Sequence, residues 1–352
     1  MHIDVRKFDR LPLTSGIGSL PHESAEMAVD FVLNCGVDIP FWPQLPARDW
    51  RELMLPQFAE GLPGVIWNEK RRSVHVDTGN GFTDRLAEFF EKALAGEVDA
   101  FALSETTAAG YHAFIRRLES GGKRFPVLKG QITGPITFTI GINDLDRMAI
   151  FYNGDLREAA IRLLIAKAVT QVNALKKHAD QVMIFLDEPA LESYGKPGFE
   201  GLSHGEVVAV LKTAVDGVRE AGAVTGIHVC GNTEWSIVAD AEPDIMHFDS
   251  FGYGDKISLY PVEMGKYLSN GGLLAWGAVP TFDAITFADA EMCRERLTEY
   301  FGNLKERLDD KAVGGQKAPF LITPSCGLGS RNLEETEKAF QLLSELKEQP
   351  FK

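Results

Sequence analysis

The chain has 352 residues, 45% of them apolar and 24% charged, the composition of a protein with a sizeable core. Acidic residues outnumber basic ones by 50 to 36, giving a formal charge of −14. This excludes the basic face that a nucleic-acid binder needs, since the only dense basic run is Lys70, Arg71 and Arg72 beside Glu69.

No apolar stretch reaches the roughly 18–20 residues that span a bilayer. The N-terminus carries scattered charges where a secretory signal would be apolar, so the chain is expected to be cytoplasmic and not membrane-bound. The four cysteines, Cys35, Cys230, Cys293 and Cys326, are too few for a disulfide framework. In a reducing compartment each is a small buried hydrophobe, a ligand or a nucleophile.

Short apolar runs recur, each bounded by Gly or Pro and followed by an amphipathic stretch. In chain order they are residues 13–20 (LTSGIGSL), 37–45 (VDIPFWPQL), 125–133 (FPVLKGQIT) and 182–188 (VMIFLDE), followed by 225–230 (TGIHVC), 244–250 (DIMHFDS), 273–279 (LLAWGAV) and 320–326 (FLITPSC). Between them, residues 154–179 place Leu156, Ala159, Ala160, Leu163, Leu164, Lys167 and Val172 at helical spacing. Residues 207–221 and 333–346 read alike, the latter with Asn332 as N-cap.

Eight strand–helix units predict an α/β fold, a (β/α)8 TIM barrel spanning residues 1–352 as one domain, with a doubly wound sheet as the rival. Residues 47–122 read as an insertion between the second and third strands. They contain a hairpin from Val65 to Val76 and helices near 83–94 and 106–120. Cys35 and Cys293 fall inside helical patterns and read as packing residues. Trp42, Trp50 and Trp67, around the insertion, read as packing before they read as a ligand platform.

In such a barrel the C-terminal strand ends build the site. Here those ends are polar and rich in Gly and Pro. In His228-Val229-Cys230 the His and Cys share one side of a strand and can ligate one ion. The alternative is a buried strand-end Cys beside a hydrogen-bonded His. Asp249 ends the sixth run and Cys326 the eighth, so a barrel brings one His, two thiols and a carboxylate to one rim. Zinc accepts that set tetrahedrally. His247 alternates with Asp249 and reads as a core histidine or as a partner of a ligand.

Asp187 and Glu188 end the fourth run. Alternation lets only one face the mouth, where it would receive a substrate ammonium; the other reading is a cap on the next helix. Ser15-Gly16-Ile17-Gly18-Ser19 offers amides to a carboxylate or phosphate. Pro21 stands where a dinucleotide fingerprint needs its third Gly. The run Gly130-Gln131-Ile132-Thr133-Gly134-Pro135 is either turn chemistry or part of the site.

Taken together, GIGSLP, GQITGPIT, LDEPAL, HVCGN, DIMHFDS and TPSCGLGSR resemble the catalytic barrel of cobalamin-independent methionine synthase. That barrel belongs to a superfamily shared with uroporphyrinogen decarboxylase and corrinoid-dependent methyltransferases. The resemblance runs in the same order from about Thr14 to Leu346. It implies Zn2+ held by His228, Cys230, Asp249 and Cys326. It also implies that Ile17, Gly18, Ser19 and Asp187 hold the amino-acid part of homocysteine.

The pattern departs from the family in four places. Asp249 stands where the family usually has Glu. The family's proton-donating His has no counterpart, Gly277 falling near its place. The acid that contacts the amino group is not matched, Arg48-Asp49 lying near it. An N-terminal half that helps hold methylfolate has no counterpart in the chain.

The expected activity is methylation of a thiol, homocysteine to methionine, by a core form. The methyl group would come from a corrinoid protein or methylcobalamin, or from a methylfolate. The alternatives are a decarboxylase of the uroporphyrinogen type, a corrinoid-dependent methyltransferase acting on another thiol such as coenzyme M, and a barrel that binds metal or thiol without turnover.

Overall fold

The structure is a computed structural model and describes residues 11–196, 199, 201–308 and 319–348. Its strands in chain order are β1 (Leu13–Thr14), β2 (Val65–Asn68), β3 (Ser73–Val76), β4 (Phe125–Thr133), β5 (Asn143–Asp144), β6 (Ala179–Asp187), β7 (Val224–Val229), β8 (Ile245–Phe248), β9 (Leu273–Val279) and β10 (Leu321–Pro324). The helices are α1 (Ala25–Asn34), α2 (Met54–Ala59), α3 (Phe82–Leu94), α4 (Ala109–Gly121), α5 (Pro135–Gly141), α6 (Gly154–Leu175), α7 (His204–Glu220), α8 (Trp235–Asp240), α9 (Ser250–Tyr253), α10 (Pro261–Ser269), α11 (Ala290–Arg307) and α12 (Leu333–Glu348).

Seven strands form one curled parallel sheet in the order β1-β10-β9-β8-β7-β6-β4. Its two edges both touch one segment. Ile39 bridges Ser15 beside β1, and Phe41 bridges Lys129 on β4, both in parallel sense. The Ile39 amide donates to the Thr14 carbonyl at 3.0 Å, and the Lys129 amide to the Pro40 carbonyl at 2.8 Å. The expected strand at 37–45 is thus reduced to single bridges. Pro40 and Pro43 have no N–H to give a continuous ladder. The first run shortens likewise, to Leu13–Thr14 with a further bridge from Ser19 to Gln44.

Side-chain alternation divides the sheet. One face packs against the helices through Leu128, Ile132, Ile184, Leu186, Ile227, Val229, Met246, Phe248, Leu274 and Trp276. The other closes on itself in a separate apolar cluster of Leu13, Ile39, Val127, Met183, Phe185, Val224, Ile245, Ala275, Phe320 and Leu321.

Helix starts follow local chemistry. Ser203 and Glu206 form a capping box on α7, and Asn153 caps α6 through the Leu156 amide. Asn332 does the same for α12, accepting from the Glu335 amide at 2.8 Å. The hairpin β2–β3 pairs Val65 with Val76 and Asn68 with Ser73, and β3 pairs in parallel with β5. Helix α4 packs against α1. No helix among the described residues is long and apolar enough to cross a membrane.

Candidate metal centre

The inward face of the sheet changes character along its length. Above the apolar cluster the same alternation places Ser15, Lys129, His247 and Thr323. One step higher it places Ile17, Gln131, Asp187, His228 and Asp249. Register brings these rows together: β6 pairs with β7 at Asp187 and His228, and β7 with β8 at His228 and His247.

His228, Cys230 and Cys326 converge. One donor atom from each lies within 4.8 Å of the other two. His228 is 3% exposed, and its Nδ1 is spent on His247 Nδ1 at 2.6 Å, which leaves Nε2 to face Cys230. The two thiols hydrogen-bond to each other. Donation from Cys326, together with His228, holds Cys230 well below the usual thiol range, and the same bond with burial pushes Cys326 up. The two thiols therefore titrate as a coupled pair, the first proton leaving more readily than the second. One imidazole nitrogen and two sulfurs at this separation are the donor set of a soft or borderline divalent cation.

Asp249 is less closely engaged. Its Oδ1 accepts from the Gly252 amide at 2.8 Å and caps α9, and it stands outside the tight group of three. Burial raises its carboxyl to about 6, with Cys230 adding to the rise and His228 opposing it. That mutual influence puts it next to the cluster.

The residues expected to hold an amino acid border the same space. A cavity of about 440 Å³ is lined by Ile17, Ser19 and Asp187 as well as His228, Cys230 and Cys326. Asp187 Oδ1 is buried without a hydrogen-bond partner. Burial raises this carboxyl to about 6, against the pull of His228 and Lys129. Gly18 has φ +157°, and a Cβ there would lie 2.9 Å from the Gln131 side-chain amide. Among the described residues, the amides of Gly18 and Ser19 donate to no backbone carbonyl. Ser19 Oγ accepts from the Gly329 amide at 3.2 Å, which ties this loop to the one that carries Cys326.

Glu188 points the other way and is fully buried. It accepts from the amides of Ile136 (2.9 Å) and Thr137 (2.7 Å) and from the Thr137 hydroxyl (2.7 Å). It thus closes the N-terminus of α5, the helix after the preceding sheet strand and not the one that follows Glu188 itself. Asp49, near the expected second acid, pairs with Arg51 at 3.0 Å, and Gln44 lines the cavity instead. Trp42 is buried, with its Nε1 on Gln171 at 2.8 Å, and Trp50 packs edge-on to Trp67. All three tryptophans are packing residues.

One inward group, Lys129, escaped the sequence reading, and a second, Gln131, was named only within a run left open between turn chemistry and the site. Lys129 is 2% exposed, donates to the Ile17 carbonyl and lies 5.0 Å from the centre of the Phe185 ring. Gln131 donates to the Trp42 carbonyl at 3.1 Å and leaves its buried Oε1 without a partner. The visible signal was a lysine and a glutamine at alternate places in the otherwise apolar run FPVLKGQIT.

No protein-family model matches the chain, and no curated protein matches it in sequence. Solved structures do match. A B12-independent methionine synthase from Shewanella sp. W3-18-1, solved in complex with selenomethionine, superposes with a TM-score of 0.55 at 16% identity over 96% of each chain. A methyltransferase from Methanosarcina mazei superposes with a TM-score of 0.53 at 14% identity, over 96% of this chain and 94% of that one. Nearly end to end, the chain is therefore built on the fold that these two methyltransferring proteins share.

Proposed function

We propose that this protein is a zinc-dependent methyltransferase that methylates a small thiol, homocysteine above others, to give a methionine-type product. One observation carries the reading: a His and two Cys donors lie within 4.8 Å of one another on the wall of a cavity that also holds an unpaired buried carboxylate oxygen. Sulfur chemistry and recognition of an amino group thus share one space. We also read the curled sheet with the bridging segment at 39–41 as eight staves of a (β/α)8 barrel.

His228, Cys230 and Cys326 would hold the ion, and Asp249 would complete the set. Zinc keeps a bound thiol deprotonated at neutral pH and so supplies the nucleophile. Two cysteinates and a carboxylate outweigh the two charges of the ion, which leaves the centre electron-rich. Asp187 receives the substrate ammonium, and the Gly18 and Ser19 amides receive its carboxylate. The selenomethionine in the Shewanella protein carries these same two groups. Free cysteines at such a site imply a reducing compartment, in keeping with a cytoplasmic enzyme.

Beside Gln44 and Ser330, the remaining side chains on the cavity wall are apolar: Pro46, Ala47, Leu53, Met54 and Pro189. The substrate sulfur takes the methyl group from the donor, which keeps the bonding electron pair. A donor nitrogen would need a proton at that moment, whereas a corrinoid cobalt would not. Among the described residues, Asp187, assigned to the ammonium, is the only carboxylic acid lining the cavity, which favours a methylated corrinoid over a methylfolate. No lysine or arginine lines the cavity among the described residues, which disfavours a decarboxylase for polycarboxylate substrates.

The test is metal content and thiol methylation in the wild type, Cys326→Ser and His228→Ala. The donors to offer in turn are methylcobalamin, a methylated corrinoid protein and methylfolate. Both variants should lose zinc and turnover; retained metal and full activity in both would end the proposal.

A further inference from the structure

Beneath the three converging donors lies a line of hydrogen bonds whose direction can be counted. His228 Nδ1 meets His247 Nδ1 at 2.6 Å, and His247 Nε2 meets Thr323 Oγ1 at 2.5 Å. Thr323 Oγ1 in turn donates to the Pro324 carbonyl at 2.8 Å. The three side chains are 3%, 0% and 2% exposed, so the line is shielded from bulk solvent.

The count begins at the carbonyl, which only accepts. Thr323 has one hydroxyl hydrogen, and it is spent there. Toward His247 it can therefore only accept, so His247 carries a hydrogen on Nε2. The two Nδ1 atoms are close enough to share a single hydrogen. A neutral His247 has its lone pair on Nδ1, so the shared hydrogen belongs to His228. His228 Nε2 is then the nitrogen that faces Cys230, and its lone pair is the one a metal would take in place of that contact.

The fold makes room for this line. His247 lies on β8 and Thr323 on β10, with β9 between them, where the inward positions are Ala275 and Gly277. A Cβ at Gly277 would come within 2.7 Å of the Ser325 Cα and 2.8 Å of the Phe248 carbonyl oxygen. Small residues on the middle strand let the ring reach across it.

We propose that His247 and Thr323 are positioning residues that lock His228 in its Nδ1–H tautomer and aim the Nε2 lone pair between Cys230 and Cys326. This rests on the metal reading above for its purpose, although not for its geometry. A reversed line, with His247 donating to His228, would put hydrogen on His228 Nε2 and block the ligand.

Two measurements on the full chain test it. In the metal-free protein, 15N NMR of the histidine rings should show a hydrogen on His228 Nδ1 and His247 as the Nε2–H form. Zinc affinity, read by competition with a chromophoric chelator, should fall about 10–100-fold in Thr323→Val and stay close to wild type in Thr323→Ser, which keeps the hydroxyl. An Nε2–H tautomer at His228, or Thr323→Val with wild-type affinity, overturns the proposal. If the wild type binds no zinc, the proposed function fails instead, and the ring spectra still decide the direction of the line.

Discussion

Lys129→Met, set beside Lys167→Met, measures what it costs to bury charge at the site and away from it. Lys129 donates to the Ile17 carbonyl inside the sheet, and Lys167 on α6 donates to the Phe101 carbonyl at 3.1 Å. Both are almost wholly shielded, at 2% and 0% exposed. Burial pushes each ammonium from 10.5 down to about 8, with Asp187 and Glu60 respectively pulling back. Below pH 8 both folded and unfolded states are protonated, and above 10.5 both are neutral. Between these limits the unfolded chain binds more protons, so stability rises with pH. The slope reaches about 1.4 kcal/mol per pH unit for each lysine, or about 3 kcal/mol across the window.

Methionine fills the same volume without a charge. It leaves the Ile17 carbonyl without its donor, at a cost of about 1–3 kcal/mol, and loses the contact with Phe185, worth about 0.5–2 kcal/mol. These losses offset most of the charge cost at neutral pH, so the slope and not the neutral value is diagnostic. Urea unfolding of wild type and variants at several pH values gives the difference curve, in which tyrosines and other shared titrations cancel. For each variant, the wild-type advantage should grow by about 3 kcal/mol from pH ~8 to ~10.5. A flat difference would mean that the ammonium is as hydrated in the fold as outside it. Thiol binding adds a second contrast: Lys129→Met should weaken it by freeing the Ile17–Ser19 loop, and Lys167→Met should not.

Glu188→Ala strands three buried donors and should cost about 3–5 kcal/mol in denaturant unfolding, while Glu188→Gln, which keeps acceptors, should cost markedly less. Gly18→Ala places a Cβ 2.9 Å from the Gln131 amide at φ +157°, so KM for the thiol should rise at least about tenfold with zinc content unchanged. Asp249→Asn keeps a good N-cap for α9 but removes the charge. Its melting temperature should stay within about 2 °C of wild type while zinc affinity falls at least about tenfold, and equal affinity would remove Asp249 from the ligand set.

Much of this was open to reading because alternation is local. Runs 125–133 and 273–279 match β4 and β9 residue for residue, and His228 and Cys230 share a side by spacing alone. The strand β6 begins three residues before its apolar run, at Ala179, where Asp180 pairs with Arg124 at 2.7 Å and supplies polar cover that periodicity does not register. The segment 37–45 misled through its composition. It is apolar enough for a strand, but two prolines deny it a ladder. The convergence of Cys326 with His228 depended on curling of the sheet, which spacing cannot give. The direction of Glu188 was hidden for a related reason: its partners are fifty residues upstream, on α5.

The least legible feature, the inward polar layer, is also the most informative one. Polar groups inside a sheet are costly unless each finds a partner. Ser15 donates to the Ile39 carbonyl at 2.8 Å and Thr133 to the Met54 carbonyl at 2.7 Å; Lys129 reaches Ile17, and Ser325 meets Thr281 at 3.1 Å. His228, His247 and Thr323 satisfy one another down to the Pro324 carbonyl. Two inward side-chain oxygens, Asp187 Oδ1 and Gln131 Oε1, are left unpaired among the described residues. Both are acceptors, and Asp187 opens onto the cavity that the sulfur donors share. An ammonium, with three hydrogens to give, is the kind of group that would complete this layer, and this supports a thiol that carries an amino group over one that does not.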